Sequence, residues 1–212
     1  MLKSNILSVE KLSCIRGERA LFEDLSFELS NGQALHVRGM NGSGKTSLLK
    51  LLCGINQPEQ GAINWNGIST NNNLNFFKCS VYIGHKDGLK NELSSIENLR
   101  VYQKLSTRTT SAADEQKLDA CLAQLQILDC ADLYTHQLSF GQRRRLTFAR
   151  LLLNEFNLWI LDEPFTGIDR EGRALIEKLC EQHLNDGGLI VLTHHQSLEN
   201  SAFKNRLNTL DL

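Results

Sequence analysis

Eight consecutive residues, Gly39-Met40-Asn41-Gly42-Ser43-Gly44-Lys45-Thr46, fit the spacing G-x-x-x-x-G-K-[ST]. Glycines at those positions let backbone amides turn inward around phosphate oxygens, and a helix beginning at the end of the loop adds a favourable dipole. Lys45 is placed to pair with the β- and γ-phosphates of a nucleoside triphosphate, and the Thr46 hydroxyl to ligate Mg²⁺; Ser47 follows directly in the same first helical turn. A second cluster, Leu158-Trp159-Ile160-Leu161-Asp162-Glu163-Pro164, is an apolar run ending in two carboxylates. At a strand's C-terminal edge Asp162 can hold Mg²⁺ and Glu163 can polarise an attacking water. Each cluster has a plainer reading, a glycine-rich connection for the first and a strand with an acidic turn for the second. The two together point to nucleoside triphosphate chemistry, without separating kinases, GTPases and ATPases.

These residues need a scaffold, and the hydropathy pattern supplies one. Residues 7–29 alternate, with Leu21, Phe22, Leu25, Phe27 and Leu29 separated by polar residues, which predicts half-buried antiparallel strands. A short apolar run, 34–37, predicts a fully buried strand leading into Gly39. A helix is expected over 46–53, ending at Gly54 with Pro58 soon after, then a strand over 61–67, a polar loop tip at Asn71-Asn72-Asn73, and buried pattern again at 81–83. Between 86 and 137 the character becomes helical: Ser94-Ser95-Ile96-Glu97 resembles a capping box, and Leu118, Cys121, Leu122 and Leu125 recur on one helix face. Beyond it the pattern gives a helix over 142–153, a strand over 158–161, a helix over 171–184 and a strand over 189–192. Strands alternating with helices imply a mainly parallel sheet covered on both faces, interrupted by a helical lobe.

Composition narrows the function classes. The chain has 212 residues, 22% of them charged, and a formal net charge of −1 with dispersed basic residues. That leaves no electrostatic footprint for nucleic acid or for an anionic bilayer, so any membrane contact is expected through a protein partner. No segment reaches the about 18 apolar residues of a membrane-spanning helix, and the N-terminus shows no signal-peptide core, so a cytoplasmic location is expected. Six cysteines without a Cys-x-x-Cys pair argue against a zinc site, a redox dithiol or haem attachment, and read as reduced core residues.

Leu138-Ser139-Phe140-Gly141-Gln142, followed by Arg143, Arg144 and Arg145, resembles the L-S-G-G-Q signature of ATP-binding-cassette (ABC) proteins, with Phe140 in place of a glycine. Thr166-Gly167-Ile168-Asp169 and His194 follow at the intervals that ABC nucleotide-binding domains show. The resemblance covers essentially the whole chain. It implies a single ABC ATP-binding domain over 1–212, an α/β P-loop (RecA-like) core with a mainly parallel sheet and an N-terminal antiparallel β region, formed by 1–85 and 138–212, with a helical subdomain at 86–137. It further implies ATP and Mg²⁺ as ligands. Nucleotide would be held by Gly39, Asn41, Gly42, Ser43, Gly44, Lys45, Thr46 and Ser47. Ser139, Gly141, Gln142 and Asp169 would face the nucleotide of a second copy. Mg²⁺ would sit on Thr46 and Asp162, with Lys45, Glu163 and His194 catalytic. His194 matches the family's switch histidine, while its neighbour His195 reads as a surface residue or a satisfied hydrogen-bonding partner.

Two departures from the family pattern stand out. His85 occupies the usual place of the Q-loop glutamine, where an imidazole still offers one hydrogen bond. Arg16 lies where an aromatic usually stacks on adenine, and offers its guanidinium plane instead. Tyr82-Ile83-Gly84-His85, residues 91–100, the arginine triplet, residues 164–169 and the paired histidines look like the small ATP-binding subunit of the cytochrome c maturation (Ccm) system. Membership there implies a homodimer of ATPase subunits at the cytoplasmic face of a bacterial inner membrane. It also implies a separate integral membrane ABC subunit (CcmB-like) and other Ccm membrane components, and work in either haem export or release of a haem chaperone. An unrelated small importer or exporter ATPase is the alternative. A soluble cassette acting on DNA or ribosomes would need modules that 212 residues do not hold, and a small-metabolite kinase would lack the 138–142 signature.

Overall fold

The computed structural model describes residues 5–106 and 112–212. The reading of the first residues therefore falls largely outside the described residues, as does part of the 86–137 lobe. The chain forms two compact units. One gathers the chain up to Tyr82 with Phe156–Pro164 and Glu177–Leu212; the other holds Ile83–Glu155 and Phe165–Ile176.

The first unit opens with β1 (Ile6–Arg16) and β2 (Arg19–Ser30), antiparallel with Ile6 opposite Ser30 and Arg16 opposite Arg19. The two residues between them turn tightly, with Gly17 at φ 61°. β3 (Ala34–Arg38) leads through the glycine-rich loop into α1 (Lys45–Leu52). α1 buries Leu48, Leu49, Leu51 and Leu52 and stops where the amides of Gly54 and Ile55 fold back onto the carbonyls of Leu51 and Lys50. Gly54, at φ 72°, takes the left-handed step that this ending requires. β4 (Gln60–Trp65) adds antiparallel to β1 and turns through Asn66-Gly67 into β5 (Ile68–Ser69). The strand expected over 61–67 thus ends two residues early: Asn66 and Gly67, at φ 53° and 76°, are the hairpin turn itself.

After α2 (Leu74–Cys79) comes β6 (Ser80–Ile83), whose last residue opens the second unit. Neither β5 nor α2 is visible in the hydropathy pattern. α2 has six residues, too few for a period; it starts because the Asn73 side chain accepts the amides of Asn75 and Phe76, and it persists because Phe76 is buried beside Trp65.

In the second unit α3 (Ser95–Ser106) begins at a reciprocal capping box, with Ser94 N–H donating to Glu97 and Glu97 N–H to the Ser94 hydroxyl. α4 (Ala112–Gln124) and the residue after it bury Leu118, Cys121, Leu122 and Leu125, the expected face. α5 (Phe140–Leu153) packs against α3 and α4, and Lys117 of α4 donates to the carbonyl of Leu153 in its last turn.

The chain then re-enters the first unit as β7 (Leu158–Asp162), crosses both units in α6 (Arg170–Asn185), and finishes with β8 (Leu189–Thr193) and β9 (Leu207–Asp211). The five-stranded sheet runs β6-β7-β8-β3-β9, with β7/β8, β3/β8 and β3/β9 parallel; the other sheet runs β2-β1-β4-β5. Every residue of β7 and β8 is buried, as a parallel sheet covered on both faces requires. β9, Leu-Asn-Thr-Leu-Asp, carries only two apolar residues and sits at the sheet edge, which is why its pattern predicts nothing. The expected strands over 158–161 and 189–192 each extend one residue further, and those added residues, Asp162 and Thr193, pair in register. Four cysteines are buried, Cys53 and Cys79 are half-buried, and all six are free. Among the described residues no helix is long and apolar enough to cross a membrane.

Candidate active site

The phosphate loop joins the buried strand β3 to α1, the arrangement its chemistry needs. Gly39, at φ 148°, closes against its own loop: a Cβ there would lie 2.5 Å from Ser43 Oγ and 2.7 Å from the Leu212 carbonyl. Gly44, at φ 111°, is pressed against Leu21 and Phe22 of β2, with a Cβ meeting them at 3.1 and 3.2 Å. α1 starts there with no side-chain cap and no acidic residue in its first turn, so its amide end is free for an anion. Lys45 is nearly buried, its ammonium donating to the carbonyls of Gly39 and Met40 at 2.8 and 3.0 Å. Ser43 Oγ is buried and makes no hydrogen bond among the described residues, an orphan donor that a phosphate oxygen would satisfy.

At the end of β7, Asp162 and Glu163 sit in a network closed by Thr193 of β8. Thr46 donates to Asp162 Oδ2 at 3.0 Å, and Thr193 donates to Asp162 Oδ1 at 2.8 Å. The same Thr193 oxygen accepts the backbone N–H of Glu163 at 2.9 Å. Glu163 has a left-handed backbone, φ 50°, a conformation that costs an L-residue free energy and persists only where neighbours hold it. Its carboxylate then meets two histidines: Oε2 lies 3.2 Å from His194 Nδ1 and Oε1 lies 3.1 Å from His195 Nε2. The two rings differ in setting, since the His194 side chain is 6% exposed and that of His195 is 54% exposed. The His194 carbonyl accepts from His36 Nε2 at 3.0 Å, and burial holds the His36 pKa below its ordinary value.

Thr46 Oγ1 and Asp162 Oδ2 form a pair of hard oxygen ligands that suits Mg²⁺, which takes one or two protein oxygens and completes its shell from phosphates and water. The donor set fits the ion. Tyr82 stands beside it, its hydroxyl 3.5 Å from Asp162 Oδ2, with burial pushing the phenol pKa up. Arg16 is exposed at the tip of β1.

The remaining sequence-predicted residues lie in the helical unit. Ser139 caps α5, its hydroxyl accepting the Gln142 amide at 3.2 Å while Gln142 Oε1 accepts the Ser139 amide at 2.8 Å. The signature serine and glutamine are therefore also a capping box, so the signature and the plain helix start coincide. Gly141 has open space where a side chain would be. Phe140, 63% exposed, lies over Gly167 of the 166–169 turn. Asp169 caps α6 by accepting the Gly172 amide at 2.8 Å, and this bond, then Arg145, lowers its carboxyl pKa. His85 is exposed in the loop after β6. Thus 39–47, Asp162, Glu163 and His194 are gathered in one unit, and His85, Ser139, Gly141, Gln142 and Asp169 in the other. Sequence reasoning missed Thr193 and set His195 aside; no spacing rule points to either, because each matters only through a contact across about 30 residues of chain.

A glycine-rich phosphate loop, carboxylates at the end of an adjacent parallel strand, and a separate helical unit with a capped Ser-Phe-Gly-Gln start define a nucleotide-binding cassette. The ABC transporter family model matches residues 22–166. The cytochrome c biogenesis ATP-binding export protein CcmA of Methylococcus capsulatus is 45% identical over 194 residues, 91% of this chain and 92% of that protein. Among solved structures, an ATP binding subunit of an ABC transporter superposes with TM-score 0.79 at 26% identity, over 90% of this chain and 79% of that one. A dimeric ATP-binding cassette in a post-hydrolysis state, bound to ADP and phosphate, has the same fold, with TM-score 0.81 at 21% identity over 97% and 96% of the two chains. The chain belongs to the ABC transporter family, in its branch of cytochrome c biogenesis ATP-binding export proteins. It is an ATP-binding, ATP-hydrolysing subunit.

Proposed function

We propose that two copies of this chain enclose two ATP molecules head to tail and drive a separate integral membrane subunit in cytochrome c maturation, from the cytoplasmic face of the bacterial inner membrane. The dimer reported for the post-hydrolysis cassette supports the first part, and the name carried by the Methylococcus relative supports the second. In this reading the loop amides of 39–46 and the Lys45 ammonium bind the β- and γ-phosphates, and Ser139 and Gly141 reach the γ-phosphate held by the other copy. Thr46 and Asp162 would hold Mg²⁺, which would supply neutralisation of the phosphate charge.

The observation that carries the catalytic reading is the fixed carboxylate of Glu163, strained in backbone, anchored through Thr193 and flanked by His194 and His195. Glu163 accepts a hydrogen bond from the attacking water and takes its proton as the bond between the γ-phosphorus and the ADP oxygen breaks. His194, the histidine the sequence marks as catalytic, meets Glu163 Oε2 through Nδ1 from a buried position, while His195 meets Oε1 from an exposed one. Losing one positioned donor at such a site costs about 3 kcal/mol of barrier, on the order of a hundredfold in rate.

The test is complementation. A strain lacking this gene loses covalent haem staining of its c-type cytochromes; the intact chain restores it and Glu163→Gln does not. Normal haem staining in the deletion strain refutes the proposal.

A further inference from the structure

Of the three consecutive arginines of α5, set at about 100° intervals around the helix, Arg143 and Arg144 both reach the 84–91 segment and Arg145 reaches Asp169. Arg144 is buried and donates to the Gly84 carbonyl at 3.2 Å, and Arg145 reaches Asp169 at 3.2 Å. Arg143 uses its whole guanidinium fork. Nε and Nη2 donate to Asp87 Oδ2 at 2.9 and 2.7 Å, and Nη1 donates to Asn91 Oδ1 at 2.9 Å and the Thr135 carbonyl at 3.0 Å. The side chains of Arg143 and Asp87 are only 22% and 28% exposed. Asp87 in turn accepts the Leu89 amide at 3.1 Å through its other oxygen, and the Gly88 carbonyl accepts the Tyr102 hydroxyl at 2.6 Å. Residues 84–91, which contain His85, are thus fastened at several points, and the strongest fastener, a two-bonded charge pair, comes from the second turn-forming residue after the signature glycine.

We infer that the Arg143–Asp87 pair is a positioning latch that makes the His85 loop and the signature turn, Ser139 to Gln142, move as one body, so that capture of the opposite copy's ATP by the signature depends on the state of the loop. Arg143 lies in the first turn of α5, one residue after the Gln142 that closes the capping box on Ser139. A fork held by a carboxylate on the 84–91 segment adds a charge-assisted hold on that turn, beside the weaker hydrogen bond from Arg144 to the Gly84 carbonyl, and a free arginine would lose it. The direction of coupling is reciprocal: a displacement of the loop shifts the signature, and a phosphate bound at the signature stabilises the loop. This inference rests on the head-to-tail reading above.

The test uses the full chain carrying Glu163→Gln, whose ATP-driven dimerisation is followed by light scattering, beside binding of a fluorescent ATP analogue to dilute single copies. Asp87→Asn keeps an oxygen for the Leu89 amide but discharges the latch, and Arg143→Lys keeps the charge but loses the fork. Each is expected to raise the ATP concentration for half-dimerisation about tenfold, with analogue binding unchanged and the double variant no worse than the poorer single one. Dimerisation at the parent's ATP concentration, effects that multiply in the double variant, or analogue binding that weakens in parallel would overturn the latch. A parent that binds ATP yet stays monomeric at saturation sinks the head-to-tail reading itself, and the latch with it.

Discussion

At the scale of single residues, Thr193 uses one oxygen for two tasks, donating to Asp162 Oδ1 and accepting the N–H of Glu163. It is fully buried, so removing that oxygen leaves both partners unsatisfied in a dry setting, each at a cost of about 1–3 kcal/mol. The consequence falls on geometry more than on binding, because neither Thr193 partner lies in the phosphate loop. Thr193→Val, which keeps shape, is therefore expected to lower kcat for ATP hydrolysis roughly tenfold to a hundredfold with a smaller change in KM, and Thr193→Ser to restore most of it. Steady-state ATPase assays of the two variants decide the point; equal losses in both would remove the hydroxyl from the account.

At the scale of elements, the helix start at Ser139 and the 166–169 turn are built against each other. Gly167 has φ 72°, and a Cβ on it would overlap the Phe140 ring. The residue that departs from the family's glycine at position 140 thus occupies space that a glycine at 167 leaves open. Gly167→Ala is expected to destabilise the protein by about 1–2 kcal/mol in urea unfolding, mostly through the left-handed backbone, because the exposed Phe140 ring can turn away from the new methyl. Adding Phe140→Gly removes the clash and should recover a smaller part of that loss, leaving the cost of the left-handed backbone. Losses that merely add would show that the ring and the turn are independent.

For the molecule as a whole, acid acts on the buried His183 of α6, which is held neutral. Its ring stacks on Trp159 of β7, with centroids 3.9 Å apart and planes 9° from parallel, and Nε2 lies 3.3 Å from the Leu189 carbonyl. Burial lowers its pKa from 6.5 to about 4. The unfolded chain therefore takes up a proton between pH 6.5 and about 4 that the folded chain refuses, and the stability contributed by neutral His183 is full above pH 6.5 and is lost as pH falls through that window. The loss amounts to about 3 kcal/mol when complete. His183→Phe retains an aromatic stack and cannot titrate, so its unfolding free energy should fall less between pH 7 and pH 5 than that of the parent, measured by denaturant titration at both values. Parallel curves would assign the acid sensitivity elsewhere.

What the amino-acid sequence determined by itself is whatever is contiguous. The phosphate loop, the strand-end carboxylates, the capped Ser139 start and the long periodic helices are each written in a run of neighbouring residues, where backbone freedom, capping and hydropathy period act directly. Even so, short pieces such as α2 and the edge strand β9 escaped, since six residues around one buried Phe76, or two leucines at a sheet edge, make no period. Only the tertiary structure decided how distant residues share a hydrogen bond. Thr46 meets Asp162 across 116 positions, Arg143 meets Asp87 across 56, and Glu163 is held by Thr193 across 30. Such pairs follow from the seating of α1 beside β7, the parallel register of β7 with β8 and the packing of α5 in its unit, and register is fixed by burial over whole faces, not by the residues that end up in contact.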